Sequence, residues 1–95
     1  MAAYTLVYHP DIPQDVARIP KNIRQIIARA IEERLGTDPL QFGEPLRRGL
    51  QKYRKLRVGD YRIIYEVNGQ TVEVLLIGNR KDVYEDAPRR VSRRI

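Results

Sequence analysis

Two turn dipeptides, Gly59-Asp60 and Asn68-Gly69, cut the middle of the chain into three runs of β-forming residues, 53–58, 61–67 and 70–77. Turns this short force the flanking runs to pair antiparallel, and they also fix the register. With Gly59 and Asp60 as the turn residues, Val58 stands opposite Tyr61, Arg57 opposite Arg62, Leu56 opposite Ile63 and Lys55 opposite Ile64. Alternation then assigns Leu56, Val58, Tyr61, Ile63, Tyr65 and Val67 to one face, continued across the second turn by Val72, Val74 and Leu76. That face is the core side. Lys55, Arg57 and Arg62 share the other.

The residues before this meander must supply what covers its apolar face. YTLVY, residues 4–8, reads as a first strand ended by His9-Pro10, because a residue before proline favours extended backbone. Residues 11–19 predict a short helix with Asp11 as its cap and Val16 and Ile19 turned inward. Pro20 suits the first turn of a second helix, in which Ile23, Ile26, Ile27, Ala30, Ile31 and Leu35 recur at three-and-four spacing until Gly36. Residues 37–45, TDPLQFGEP, read as a connecting loop.

The order is β-α-α-β-β-β. It predicts an α+β fold: a small antiparallel-rich sheet of three or four strands, with a parallel N-terminal strand as an option, covered on one face by a helical hairpin. Residues 1–95 are expected to form a single domain. Pro88 and the sequence RRVSRRI after it predict a frayed basic tail over 88–95 rather than a docked helical turn.

Composition narrows the chemistry. There are no cysteines and one histidine, His9, which is most simply a strand-end residue, so neither a disulfide framework nor a zinc site is expected, and no cofactor. No basic segment followed by an apolar run opens the chain and no stretch reaches membrane-spanning length, which predicts a soluble cytoplasmic protein with no membrane partner. The net charge of +6 is uneven: residues 1–45 carry 5 Lys and Arg against 6 Asp and Glu, whereas residues 46–95 carry 13 against 6. The C-terminal half is built to meet a polyanion or an acidic partner.

The cation face sharpens that expectation. Like charges directly opposite on a sheet are destabilising by roughly 0.2–1 kcal/mol, so pairing Arg57 with Arg62 has no structural benefit of its own. A phosphate between them removes the conflict, since guanidinium groups fork around its oxygens. Neutralisation by Glu66, Glu73 or Asp60 is the competing reading. Gly78 ends the last strand and delivers Arg80 and Tyr84 toward the same sheet edge.

These residues carry a resemblance. PLRRGLQKYRKLRVGDYRIIYEV followed by IGNRKDVYEDA is similar to the RelE/ParE superfamily of toxins from toxin–antitoxin pairs, and the likeness spans nearly the whole chain. It implies a RelE-like toxin: a ribosome-dependent endoribonuclease that cleaves mRNA without metal, by attack of a 2′-hydroxyl on the adjacent phosphate to give a 2′,3′-cyclic phosphate. A RelB-like antitoxin, the ribosome and mRNA are the implied partners. Matched position by position, the resemblance implies catalytic roles for Lys55, Arg62, Arg80 and Tyr84, and phosphate binding by Arg54 and Arg57. The chain departs from the pattern at Tyr53 or Arg54, where relatives often carry a second lysine, and at Asn79, where many carry a histidine. Arginine stays protonated and is a poor base. Two alternatives share the fold: a ParE-like inhibitor of DNA gyrase that performs no chemistry, and an inactive basic RNA-binding relative.

Overall fold

The computed structural model describes residues 3–93. Its elements are β1 (Thr5–Tyr8), α1 (Ile12–Ala17), α2 (Lys21–Ala30) running into a π-helical turn (Ile31–Leu35), β2 (Glu44–Pro45), β3 (Tyr53–Val58), β4 (Tyr61–Asn68), β5 (Thr71–Asn79) and α3 (Val83–Ser92). The sheet has five strands in the order β1-β5-β4-β3-β2, one more than the upper expectation, because the end of the 37–45 loop pairs with β3 as a two-residue strand. β1 runs parallel to β5 and all other pairs are antiparallel.

The hairpin register is the one the turn dictates: Val58 pairs with Tyr61, Arg57 with Arg62, Leu56 with Ile63 and Lys55 with Ile64. Gly59 and Gly69 hold φ of +58° and +64°, the left-handed backbone that these tight turns demand. Against β5 the alternation does not persist. Ile64 pairs with Leu76 but Tyr65 pairs with Val74, so Leu75 is an extra residue on β5. Such a bulge uses up one residue and reverses the facing of those beyond it. Leu76, expected beside Val72 and Val74, therefore joins Leu75 on the opposite face, and Ile77 takes the place on the first.

Both faces of the sheet are consequently cored. On the first, Ile12, Ile19, Ile27, Ile31 and Leu35 pack on Leu56, Ile63, Tyr65, Val72, Val74 and Ile77, as the helical hairpin predicted. Ile26 is a correction to the stripe: it is 55 % exposed, at the outer margin of the helix. Asp11 precedes α1 without capping it by a side-chain hydrogen bond, and its carboxylate lies 3.2 Å from the Arg93 guanidinium instead. On the second face, Val83 and Ala87 of α3 pack on Leu46, Tyr53, Ile64, Leu75 and Leu76.

That helix corrects the frayed-tail expectation. Pro88 lies inside α3, and the helix is held by a salt bridge shielded from solvent rather than by its ends. The Arg90 guanidinium donates to both carboxylate oxygens of Asp15, at 2.8 and 3.0 Å, and to the Leu75 carbonyl at 2.8 Å. Asp15 also accepts the Ile77 N–H at 3.1 Å, which β1, ending at Tyr8, does not reach. Arg94 and Ile95, the end of the expected tail, lie outside the described residues. No helix among the described residues is long and apolar enough to cross a membrane.

Candidate functional site

The second face of the sheet is divided between α3 and cations. Lys55 and Arg57 project from β3 and Arg62 from β4, beside the end that α3 covers. The β5 position paired with Arg62 is Gly78, which presents no side chain there. Val83 packs at ordinary van der Waals distance, 3.6 Å, from where a Gly78 Cβ would stand. Tyr84 follows directly, 45 % exposed, with its hydroxyl accepting a hydrogen bond from Lys55 Nζ at 3.0 Å. The ammonium also lies 5.1 Å from the centre of the Tyr84 ring.

Electrostatics here act on the phenol. The hydrogen bond from Lys55 holds the Tyr84 hydroxyl below its ordinary pKa; partial burial opposes this, while the Lys55 charge and the nearby Arg62 guanidinium add to it. Arg62 is itself oriented by donating to the Gly59 and Tyr61 carbonyls at 3.0 and 2.9 Å. Among the described residues no carboxylate forms an ion pair with Lys55, Arg57 or Arg62. Glu66, one of the expected neutralisers, lies 3.8 Å from Lys52 at the far end of the sheet.

Lys55, Arg57, Arg62 and Tyr84 line one open pocket of about 320 Å³ together with Gly43, Glu44 and Leu56. Glu44 was not anticipated, because its segment reads as loop. Pairing of β2 with β3 sets Glu44 beside Lys55 and brings a carboxylate into the lining. Gly43 makes the approach possible: φ is +85°, and a Cβ would stand 2.8 Å from the Lys55 carbonyl oxygen.

Two expected members lie elsewhere. Arg54 alternates to the other side of β3, and its guanidinium donates to the Leu40 and Gly43 carbonyls at 3.1 and 3.0 Å. It fastens the loop that carries Glu44 and is not one of the pocket's cations. Arg80 stands just past β5, its backbone N–H donating to the Asp60 carbonyl at 2.9 Å, with its side chain exposed beside the hairpin turn and outside the pocket lining. His9 is buried at the end of β1, its Nδ1 accepting the Asp11 N–H at 3.0 Å. Among the described residues no group of three His, Asp or Glu side chains could hold a metal ion.

A pocket of cations joined to an oriented phenol can bind a phosphate and exchange a proton beside it. The likeness to known proteins runs in the same direction. A family model described as the ParE toxin of type II toxin–antitoxin systems matches residues 6–84. Toxin RelG of Mycobacterium tuberculosis is 30% identical over 83 residues, covering 85% of this chain and 95% of its own. Toxin RelE3 of Methanocaldococcus jannaschii is 33% identical over 78 residues, covering 79% of this chain and 89% of its own. The toxin–antitoxin complex RelBE2 from M. tuberculosis contains a chain that superposes with a TM-score of 0.76 at 29% identity, over 82% of this chain and 99% of that one. A free mutant of the E. coli toxin RelE shares the fold, with a TM-score of 0.73 at 22% identity over 94% and 98% of the two chains. The chain belongs to the RelE/ParE family of toxins from type II toxin–antitoxin systems.

Proposed function

We propose that this toxin is an endoribonuclease acting on mRNA at the ribosome in the cytoplasm, and that the pocket between β2, the β3–β4 hairpin and Tyr84 is its active site. The observation that carries the reading is the Lys55–Tyr84 hydrogen bond, beside Arg57 and Arg62, neither of which forms an ion pair with a carboxylate of the described residues. Arg57 and Arg62 grip the non-bridging oxygens of the scissile phosphate and stabilise the charge that develops there. Glu44 supplies a carboxylate able to accept the 2′-hydroxyl proton. The 2′-oxygen then bonds to phosphorus, the bond to the 5′-oxygen breaks, and the products are a 2′,3′-cyclic phosphate and a 5′-hydroxyl. Tyr84 gives its proton to the departing 5′-oxygen, a transfer that its lowered pKa favours, and Lys55 stabilises the phenolate left behind. Arg80, outside the pocket, contacts the RNA strand beyond it.

Toxicity of this kind requires a silencing partner. Solved relatives include a RelB–RelE antitoxin–toxin complex from Methanococcus jannaschii, 29% identical to this chain with a TM-score of 0.65. A RelB-like antitoxin fits here as an amphipathic, acidic segment, its apolar side on the groove lined by Tyr8, Ile12, Val16, Ile27 and Ile31.

The test is a translation extract supplied with the protein and probed for mRNA cut to cyclic-phosphate ends. Cleavage is expected, and Tyr84→Phe is expected to slow it by roughly a hundredfold or more while ribosome binding persists. Intact mRNA would overturn the reading. The matching family model is a ParE toxin, which makes gyrase inhibition the second reading; arrested supercoiling with uncut mRNA would establish it.

A further inference from the structure

The cation pocket continues into a second one. Beyond Lys55 and Tyr84, which border both, a cavity of about 420 Å³ opens between the β2–β3 loop and α3. Its character changes abruptly: Leu46, Leu50, Ala87 and Pro88 make an apolar floor and walls, and Arg47 and Arg48 stand at the rim. Leu46 and Ala87 belong to the core beneath it, so the floor is firm. The loop is equally fixed, with Leu46 N–H donating to the Tyr53 carbonyl and Tyr53 N–H to the Leu50 carbonyl, at 2.9 and 3.0 Å. Arg48 holds φ of +59°, a left-handed conformation unusual for a residue with a side chain, immediately before Gly49 at +84°. No acidic side chain lines this cavity.

We infer that this cavity is a nucleobase subsite, receiving the base of a nucleotide that flanks the phosphate held by Lys55, Arg57 and Arg62. The inference rests on the reading of the cation pocket as a phosphate site. An occupant that suits both pockets is anionic where they meet at Lys55 and offers a largely apolar body to Leu46, Leu50, Ala87 and Pro88, with Arg47 and Arg48 beside it. A nucleotide has that order of parts. Base faces stack on apolar side chains and under guanidinium planes irrespective of sequence, and the arginines at the rim add attraction for the adjacent backbone.

The experiment follows the backbone amides of the full chain by NMR during titration with nucleoside 3′-monophosphates of the four bases, with ribose 5-phosphate and with inorganic phosphate. Nucleotides are expected to shift both groups of resonances: Lys55, Arg57, Arg62 and Tyr84, and also Leu46, Leu50 and Ala87. Phosphate and ribose phosphate should shift only the first group. Leu50→Ala should weaken nucleotide binding by roughly three- to tenfold, from lost apolar contact, and leave inorganic phosphate binding unchanged. Arg48→Gly, which the left-handed backbone accommodates, should weaken nucleotides to a smaller degree without loss of stability. If nucleotides shift no more than phosphate does, the base subsite is overturned while the phosphate site stands. If no probe shifts the cation group, both the phosphate site and the inference built on it fall.

Discussion

Replacing Asp15 with alanine should loosen the protein more than any change in the cation pocket. The Asp15 and Arg90 side chains are 8% and 12% exposed, and they meet in a two-pronged contact at 2.8 and 3.0 Å. Asp15→Ala leaves the guanidinium shielded from water with Asp11, 3.7 Å from its Nε, as the remaining carboxylate neighbour. It also strips the Ile77 N–H of its acceptor on a strand edge that β1 does not cover. Breaking one partner of a fully buried pair costs about 3–5 kcal/mol; this pair is part-buried and the guanidinium keeps Asp11 and the Leu75 carbonyl, so a loss of about 1–3 kcal/mol is expected. For a domain of this size each kcal/mol moves the midpoint by roughly 4–8 °C, so a fall of about 4 °C or more is expected in calorimetry. Arg90→Met should cost at least as much, since it leaves the Asp15 carboxylate, the less exposed of the two at 8%, with its bond to Ile77 but without the guanidinium. The double substitution should cost less than the two singles together, and that difference measures the coupling. A loss under about 1 kcal/mol for Asp15→Ala, the value of an exposed pair, would refute the idea that this bridge holds α3 on the sheet. Because Tyr84 rides on α3, the same variant should also lose the Lys55–Tyr84 contact and slow RNA cleavage.

Arg57→Ala removes an exposed cation paired across the hairpin with Arg62; thermal unfolding should show no loss of stability, or a gain of up to about 0.5 kcal/mol, while RNA cleavage collapses. Arg62→Ala should not share the gain, since its guanidinium bonds two turn carbonyls. Lys55→Met should return the Tyr84 phenol toward its ordinary value, observable as a higher midpoint in an ultraviolet titration with Tyr84→Phe as the blank. The sign for stability follows: a phenol lowered in the folded state stabilises the fold above the unfolded tyrosine value and loses that contribution as pH falls through the folded one, so near neutrality Tyr84→Phe should cost no more than the exposed hydrogen bond to Lys55. Tyr65→Phe removes a buried hydroxyl that lies 2.6 Å from both the Pro39 and Phe42 carbonyls; a loss of about 1–3 kcal/mol in denaturant unfolding is expected, and a loss within error would show that the Tyr65 hydroxyl does not help Arg54 and the β2–β3 pairing to hold the Glu44 loop.

What the sequence determined by itself was local. Gly59-Asp60 and Asn68-Gly69 admit few backbone geometries, so the hairpin register, the Arg57–Arg62 opposition and the shared face of Lys55, Arg57 and Arg62 follow from two turns and a period of two. The isoleucine stripe behaved likewise, apart from Ile26 at its margin. Tertiary structure decided whatever depends on groups distant along the chain. The bulge at Leu75 has no turn residue to announce it; it arises where β5 must serve two cores, and it sends Leu76 to the second. Pro88 and a run of arginines read as a frayed end, yet α3 persists because Asp15, 75 residues away, accepts the Arg90 guanidinium over a buried strand edge. Arg54 and Glu44 show the two kinds of cause side by side. Strand parity alone sends Arg54 away from Lys55, but only the pairing of β2 with β3 carries a loop carboxylate into the cation pocket, and no pattern within either segment encodes that meeting.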